Sequence, residues 1–189
     1  MVLHLLTPPD NEPVTSANLR KFLRLPELQE EALLLRLIRV ARETIEHSCN
    51  LALLTQSWQL QLANWPQSGR VALYKSPVIT VDKVQGFDIN GQAILFHADE
   101  WRLDADSQPQ RIYLSRPQRL NIARGLVLEI TSGFGIEPET VPEPLRHACL
   151  MLAAHLYENR NSFDADHTAR HLPAMIEQLL SPWLRRARL

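Results

Sequence analysis

Hydrophobic and polar residues follow helical periods at both ends of the chain and a strand period in the middle. Thr15 or Ser16 suits the N-cap of a short helix to about Leu23, which Leu25-Pro26 breaks. The pattern predicts the longest helix over Glu27 to about Asn50. Its acidic start (Glu27, Glu30, Glu31) and later Arg36, Arg39 and Arg42 complement the helix dipole. Leu28, Leu35, Ile38 and Ile45 form the expected apolar stripe, with Leu33, Leu37 and Val40 partly off it. A helix apolar on two sides wants two partners, one of them another subunit.

From Leu51 the period changes. Trp58, Leu60 and Leu62 alternate with Gln59 and Gln61, as in a strand. Further strands are expected at 71–74, 78–81, 84–87, 93–96, 101–103, 111–114 and 126–131. Asn90-Gly91 is a strong hairpin signal. Gly133-Phe134-Gly135 reads as a tight turn leading out of the last strand. Pro142 and Pro144 suit the start of a helix whose Leu145, Cys149, Leu152 and Leu156 recur at helical spacing. Ala148 and Ala153 leave room for another backbone, and Tyr157-Glu158-Asn159-Arg160 form a polar end. A last helix is expected from Pro173 to about Arg186. The order predicts an α+β fold: a helical core built from both chain ends (residues 1–50 and 136–189) with an inserted β-rich lobe (51–135).

Composition narrows the function. The chain has 189 residues, 45% of them hydrophobic, and a net charge of −1, so overall charge gives no case for nucleic-acid binding. Cys49 and Cys149 fall in expected helices and read as reduced core thiols of a cytoplasmic protein. No signal peptide or membrane-spanning apolar run is recognisable. With six glycines the chain holds no phosphate-binding glycine loop.

Candidate chemistry is sparse. Asp164, His167 and His171 are the one candidate metal cluster and would support a small metal-dependent hydrolase. The same residues read better as a solvated loop, since spacing fixes no third ligand. His155 and Glu158 lie within one helical turn, which permits an acid/base pair or a simple surface pairing. Cys149 lies on an apolar face with no pocket implied. The reading is a non-enzymatic protein without cofactor or metal. Trp183, Leu184, Arg185, Arg186 and Arg188 make a basic, apolar-anchored end suited equally to core docking and to a partner.

Taken in order, several segments resemble the head–tail connector (adaptor, or head-completion) family of tailed bacteriophages, which also occurs in gene transfer agents. They are Thr7-Pro8-Pro9, Pro13-Val14-Thr15, the long acidic-to-basic helix, Leu53-Leu54-Thr55-Gln56-Ser57-Trp58, Gly133-Phe134-Gly135, and Val141-Pro142 through Arg160. The resemblance runs from about Leu6 to about Leu184. It implies a virion structural protein that assembles as a dodecameric ring beneath the portal. That ring extends the DNA channel, passes DNA without reading sequence, and docks a head-closure or tail protein. It would assemble in the bacterial cytoplasm and end in the particle's neck. Portal contacts are expected at Trp183, Leu184, Arg185, Arg186 and Arg188, and ring contacts at Leu37, Val40, Tyr157, Glu158 and Arg160.

Overall fold

The computed structural model describes residues 1–26, 30–115, 124–159 and 172–187, with side chains not described at 124 and 185–187. It divides into two compact units. One comprises Met1–Pro9 and Thr55–Phe134; the other comprises Asp10–Leu54 and Gly135–Arg188. Two boundaries differ from expectation. The first nine residues belong to the β unit, because Val2–Thr7 forms a strand, β1. Leu51–Leu54 belong to the helical unit, where all four are buried. The helical core therefore takes its first part from Asp10 onward, not from the chain's first residue.

In the β unit, β2 (Gln56–Leu62), β4 (Val78–Phe87), β5 (Ala93–Leu95) and β8 (Arg124–Ser132) join β1 in a five-stranded sheet. Its order is β1-β2-β8-β4-β5, and neighbouring strands are antiparallel. A three-stranded sheet has the order β3-β7-β6, from Arg70–Ala72, Arg111–Leu114 and Trp101–Asp104. The strand period puts Leu60 opposite Leu128 and Leu62 opposite Leu126 on β2 and β8. These pack with Val84 of β4 and with Val71, Ile112 and Leu114 of the smaller sheet in one apolar core. The two strands expected at 78–81 and 84–87 are one ten-residue strand, bent by register shifts near Val81–Lys83. Asn90-Gly91 does close the β4–β5 hairpin. Asp88 Oδ1 accepts from the Asn90 and Gln92 amides at 2.8 and 2.7 Å.

In the helical unit, α1 (Ser16–Leu23) is capped by Thr15, whose Oγ1 accepts from the Asn18 amide at 3.1 Å. It ends where Arg24 turns left-handed (φ 55°). The helix α2 (Glu31–Cys49) begins after Glu30, also left-handed. The expected start at Glu27 and the stripe residue Leu28 lie outside the described residues. The buried stripe of α2 is Leu34, Ile38, Ala41, Ile45 and Cys49. Leu35, expected within it, is 46% exposed. At the exit of the β unit, Gly135 lies against Thr140. A Cβ there would stand 2.5 Å from Thr140 Oγ1, so no larger residue fits without a shift. Helix α3 (Glu143–Glu158) buries Leu145, Ala148, Cys149, Leu152, Ala153 and Ala154. Its small residues let α2 pack closely, and α4 (Ala174–Ala187) packs on both, burying Ile176 and Leu180. Among the described residues no helix is long and apolar enough to cross a membrane.

Candidate assembly surfaces

The helical unit is held by a buried ionic cluster that fixes how α2 presents its outer face. Arg42 Nη1 donates to Glu46 at 2.9 Å, and Arg42 Nε donates to Glu12 at 2.8 Å. Glu43 lies 3.4 Å from the same guanidinium. Glu46 Oε1 also accepts the Leu53 amide at 2.8 Å. Burial alone would lower the affinity of Arg42 for its proton. The charges of Glu46, Glu12 and Glu43 outweigh that, and its pKa is raised. Arg42 and Glu46 are spaced i,i+4, so the pair was readable in the sequence; their burial was not.

With its inner face fixed, α2 turns Leu35, Arg36, Arg39 and Val40 outward. Leu35 and Val40 are 46% and 41% exposed. Leu37, expected at a ring contact, is half-buried beside them. Large apolar side chains also stand exposed at Phe22 (48%), Ile136 (64%) and Met175 (64%). The sequence reading missed these three and Leu35, because isolated apolar residues carry no sign of which side faces water.

The polar end of α3 is partly engaged within its own chain. The Tyr157 hydroxyl donates to Glu30 Oε2, tying the end of α3 to the start of α2. Tyr157 is half-buried and Glu158 is exposed, while Arg160 lies outside the described residues. In α4, Trp183 and Leu184 are half-buried in the last turns, after Pro182 within the helix. Arg185 and Arg186 lie on the same helix with side chains not described, and Arg188 lies outside the described residues. The structure thus brings Leu37 and Val40 onto one stretch of α2, and Trp183 through Arg186 onto one helix end.

Catalytic readings gain no support. Asp164, His167 and His171 all lie outside the described residues, and among the described residues no three ligating side chains cluster. His155 and Glu158 are both exposed, and His155 Nδ1 lies 3.1 Å from Asn159 Nδ2. Cys149 is fully buried, and that burial pushes its thiol pKa strongly upward, the reverse of what a nucleophile needs. Burial likewise raises Cys49 to about 11.

No family model and no curated protein matches the chain. Solved structures do. A chain from the neck of an empty gene transfer agent particle with C6 symmetry is 28% identical, with a TM-score of 0.80 over 97% of this chain and 95% of that one. A chain from the virion of the native gene transfer agent particle is 27% identical, with a TM-score of 0.79 over 97% and 95%. A chain from the neck of the native particle with C12 symmetry is 26% identical, with a TM-score of 0.77 over 97% and 94%. The resemblance to the head–tail connector family stands: along nearly its whole length this chain is similar in sequence and fold to proteins of gene transfer agent particles, two of them from the neck.

Proposed function

We propose that the chain is a structural, non-enzymatic neck protein of a gene transfer agent or tailed phage: an adaptor that forms a homo-oligomeric ring under the portal. The observation that carries this reading is the match of both units together to neck chains. The cyclic symmetry of those necks supports a ring, and C12 symmetry favours twelve copies. The outward Leu35 and Val40 give α2 apolar surface for a neighbouring copy, with Leu37 at its margin. Tyr157, Glu158 and Arg160 would border the same contact. The end of α4, with Trp183, Leu184, Arg185, Arg186 and Arg188, would grip the portal. A head-closure or tail protein would dock on the far side. DNA would cross the lumen without its sequence being read, since a net charge of −1 offers the phosphates no strong overall attraction. The work is binding and needs no cofactor.

The test is co-expression with a portal protein from the same genome, followed by mass measurement of the purified complex. Twelve copies of this chain per portal ring is the expected result. Failure to form a complex, or binding as isolated copies, refutes the ring-adaptor reading.

A further inference from the structure

The five-stranded sheet has two outer strands, β1 and β5, and among the described residues neither is paired on its outer side. Outer strands in monomers are normally blunted by charge, proline or a covering segment. The smaller sheet follows that rule: β3 carries Arg70, and β6 carries Arg102 and Asp104. The start of β4, which β5 does not reach, is covered too. The buried Gln110 side chain accepts the Val78 amide at 2.6 Å and donates to the Val78 carbonyl at 3.3 Å, standing in for a neighbouring strand. Among the described residues the two outer strands of the large sheet carry neither charge nor a covering segment; their only protection is a register shift near Leu5–Thr7 in β1 and the three-residue length of β5. Val2-Leu3-His4-Leu5-Leu6-Thr7 contains no Lys, Arg, Asp or Glu, and Val2, Leu5 and Leu6 are 52%, 43% and 47% exposed. Ala93-Ile94-Leu95 is also uncharged, with Leu95 58% exposed and Ile89 in the adjoining turn 67% exposed.

We infer that β1 of one copy pairs with the β5 edge of the next, joining the large sheets of neighbouring copies head to tail around the ring. This rests on the ring reading above and names a second contact within it. The occupant follows from the chemistry of an edge. Its free amides and carbonyls are satisfied by another strand. The other uncharged strand edge among the described residues is the opposite side of the same sheet. Two different edges of one sheet make a heterologous contact, which repeats and closes under cyclic symmetry; β1 against β1 would stop at a dimer. Six residues against three give a short ladder, far below the area of a stable free dimer. The contact therefore adds to the helical ones and forms when the ring assembles.

The experiment gives each copy one thiol on each edge, with the double substitution His4→Cys and Leu95→Cys, and treats the portal complex with a short bis-maleimide. A short linker spans the diagonal distance between paired strands, so exact register is not required. Cys49 and Cys149 are buried and leave a silent background, which the unsubstituted chain checks. A denaturing gel should show a ladder of covalent oligomers beyond the dimer. Thr7→Cys with Ala93→Cys provides a second pair in case the first perturbs folding. An assembled complex in which both pairs give no ladder overturns the inference and leaves the ring reading intact. Dimers from His4→Cys alone overturn it in favour of β1-to-β1 pairing. If no portal complex forms, the ring reading itself fails. The edge pairing, which forms only within the ring, is then overturned with it.

Discussion

The guanidinium of Arg42 and the carboxylate of Glu46 lie 2.9 Å apart inside the helical unit, with side-chain exposures of 4% and 3%. Through Glu12 and the Leu53 amide the pair ties α2 to the segments on either side of it. Removing one partner strands a buried charge, which typically costs about 3–5 kcal/mol. Arg42→Ala should therefore lower the melting temperature by roughly 10 °C or more. Arg39→Ala is the control. That residue is 67% exposed and 3.6 Å from Glu12, so its loss should shift melting by little. Equal shifts for the two variants, read by circular dichroism, would remove the cluster from its structural role.

The outward face of α2 can be separated from its core by choice of residue. Leu35→Glu with Val40→Glu changes two exposed side chains. It should leave monomer melting within about 2 °C, as for most surface substitutions. Incorporation into portal-bound rings should fall at least tenfold. Leu37→Glu with Val40→Glu should also block assembly, but with a measurable loss of monomer stability, because Leu37 is half-buried. Normal rings from the Leu35/Val40 variant would show that this face meets solvent in the assembly.

The two thiols predict alkaline behaviour. Burial raises Cys49 from 9.0 to about 11, and burial followed by the Glu46 charge raises Cys149 further. A folded-state pKa above the unfolded one means full stability below the unfolded value and a loss as pH rises through the folded one. For Cys49 the window is about pH 9 to 11. The urea midpoint should be flat across pH 7–8.5 on this account and fall above pH 9, less steeply in Cys49→Ala. At pH 8 the folded chain should react with a thiol reagent at least about 100-fold more slowly than the urea-unfolded chain. A wild-type slope unchanged by Cys49→Ala would exclude that residue as a cause.

Local signals were readable where the physics is local. Thr15 caps α1, and Asn90-Gly91 closes a hairpin, because each depends on residues within one turn. Strand β1 was not readable. Its apolar residues at 2, 3, 5 and 6 match no strict period, and its partner β2 begins some fifty residues later. Ile38 and Ile45 of the expected α2 stripe are buried, but Leu34 takes the place of Leu35, because Leu33, Leu34 and Leu35 are all apolar and packing alone selects Leu34 as the fully buried one. For the assembly surfaces, sequence could nominate Val40 and Trp183 but could not set their exposure, which depends on neighbouring helices.

The end of α4 offers the sharpest test of the proposed portal contact. Trp183 and Leu184 are half-buried, so each keeps apolar surface open while touching its own unit. Deleting residues 183–189 therefore removes some folding energy as well as any partner anchor, and a modest fall in melting temperature is expected. Charge reversal is cleaner. Arg185→Glu with Arg186→Glu changes two consecutive residues at the end of the helix and leaves Trp183 in place. Melting should move by less than about 2 °C, as for surface changes. Co-sedimentation with portal rings should weaken at least tenfold, and the residual binding should lose much of its salt dependence, since exposed charge pairs are screened by salt. Trp183→Ala should weaken portal binding by about 2 kcal/mol if it is an interface anchor, roughly thirtyfold. Unaltered portal binding in both variants, with a stability loss in Trp183→Ala alone, would return this helix end to the core of its own unit.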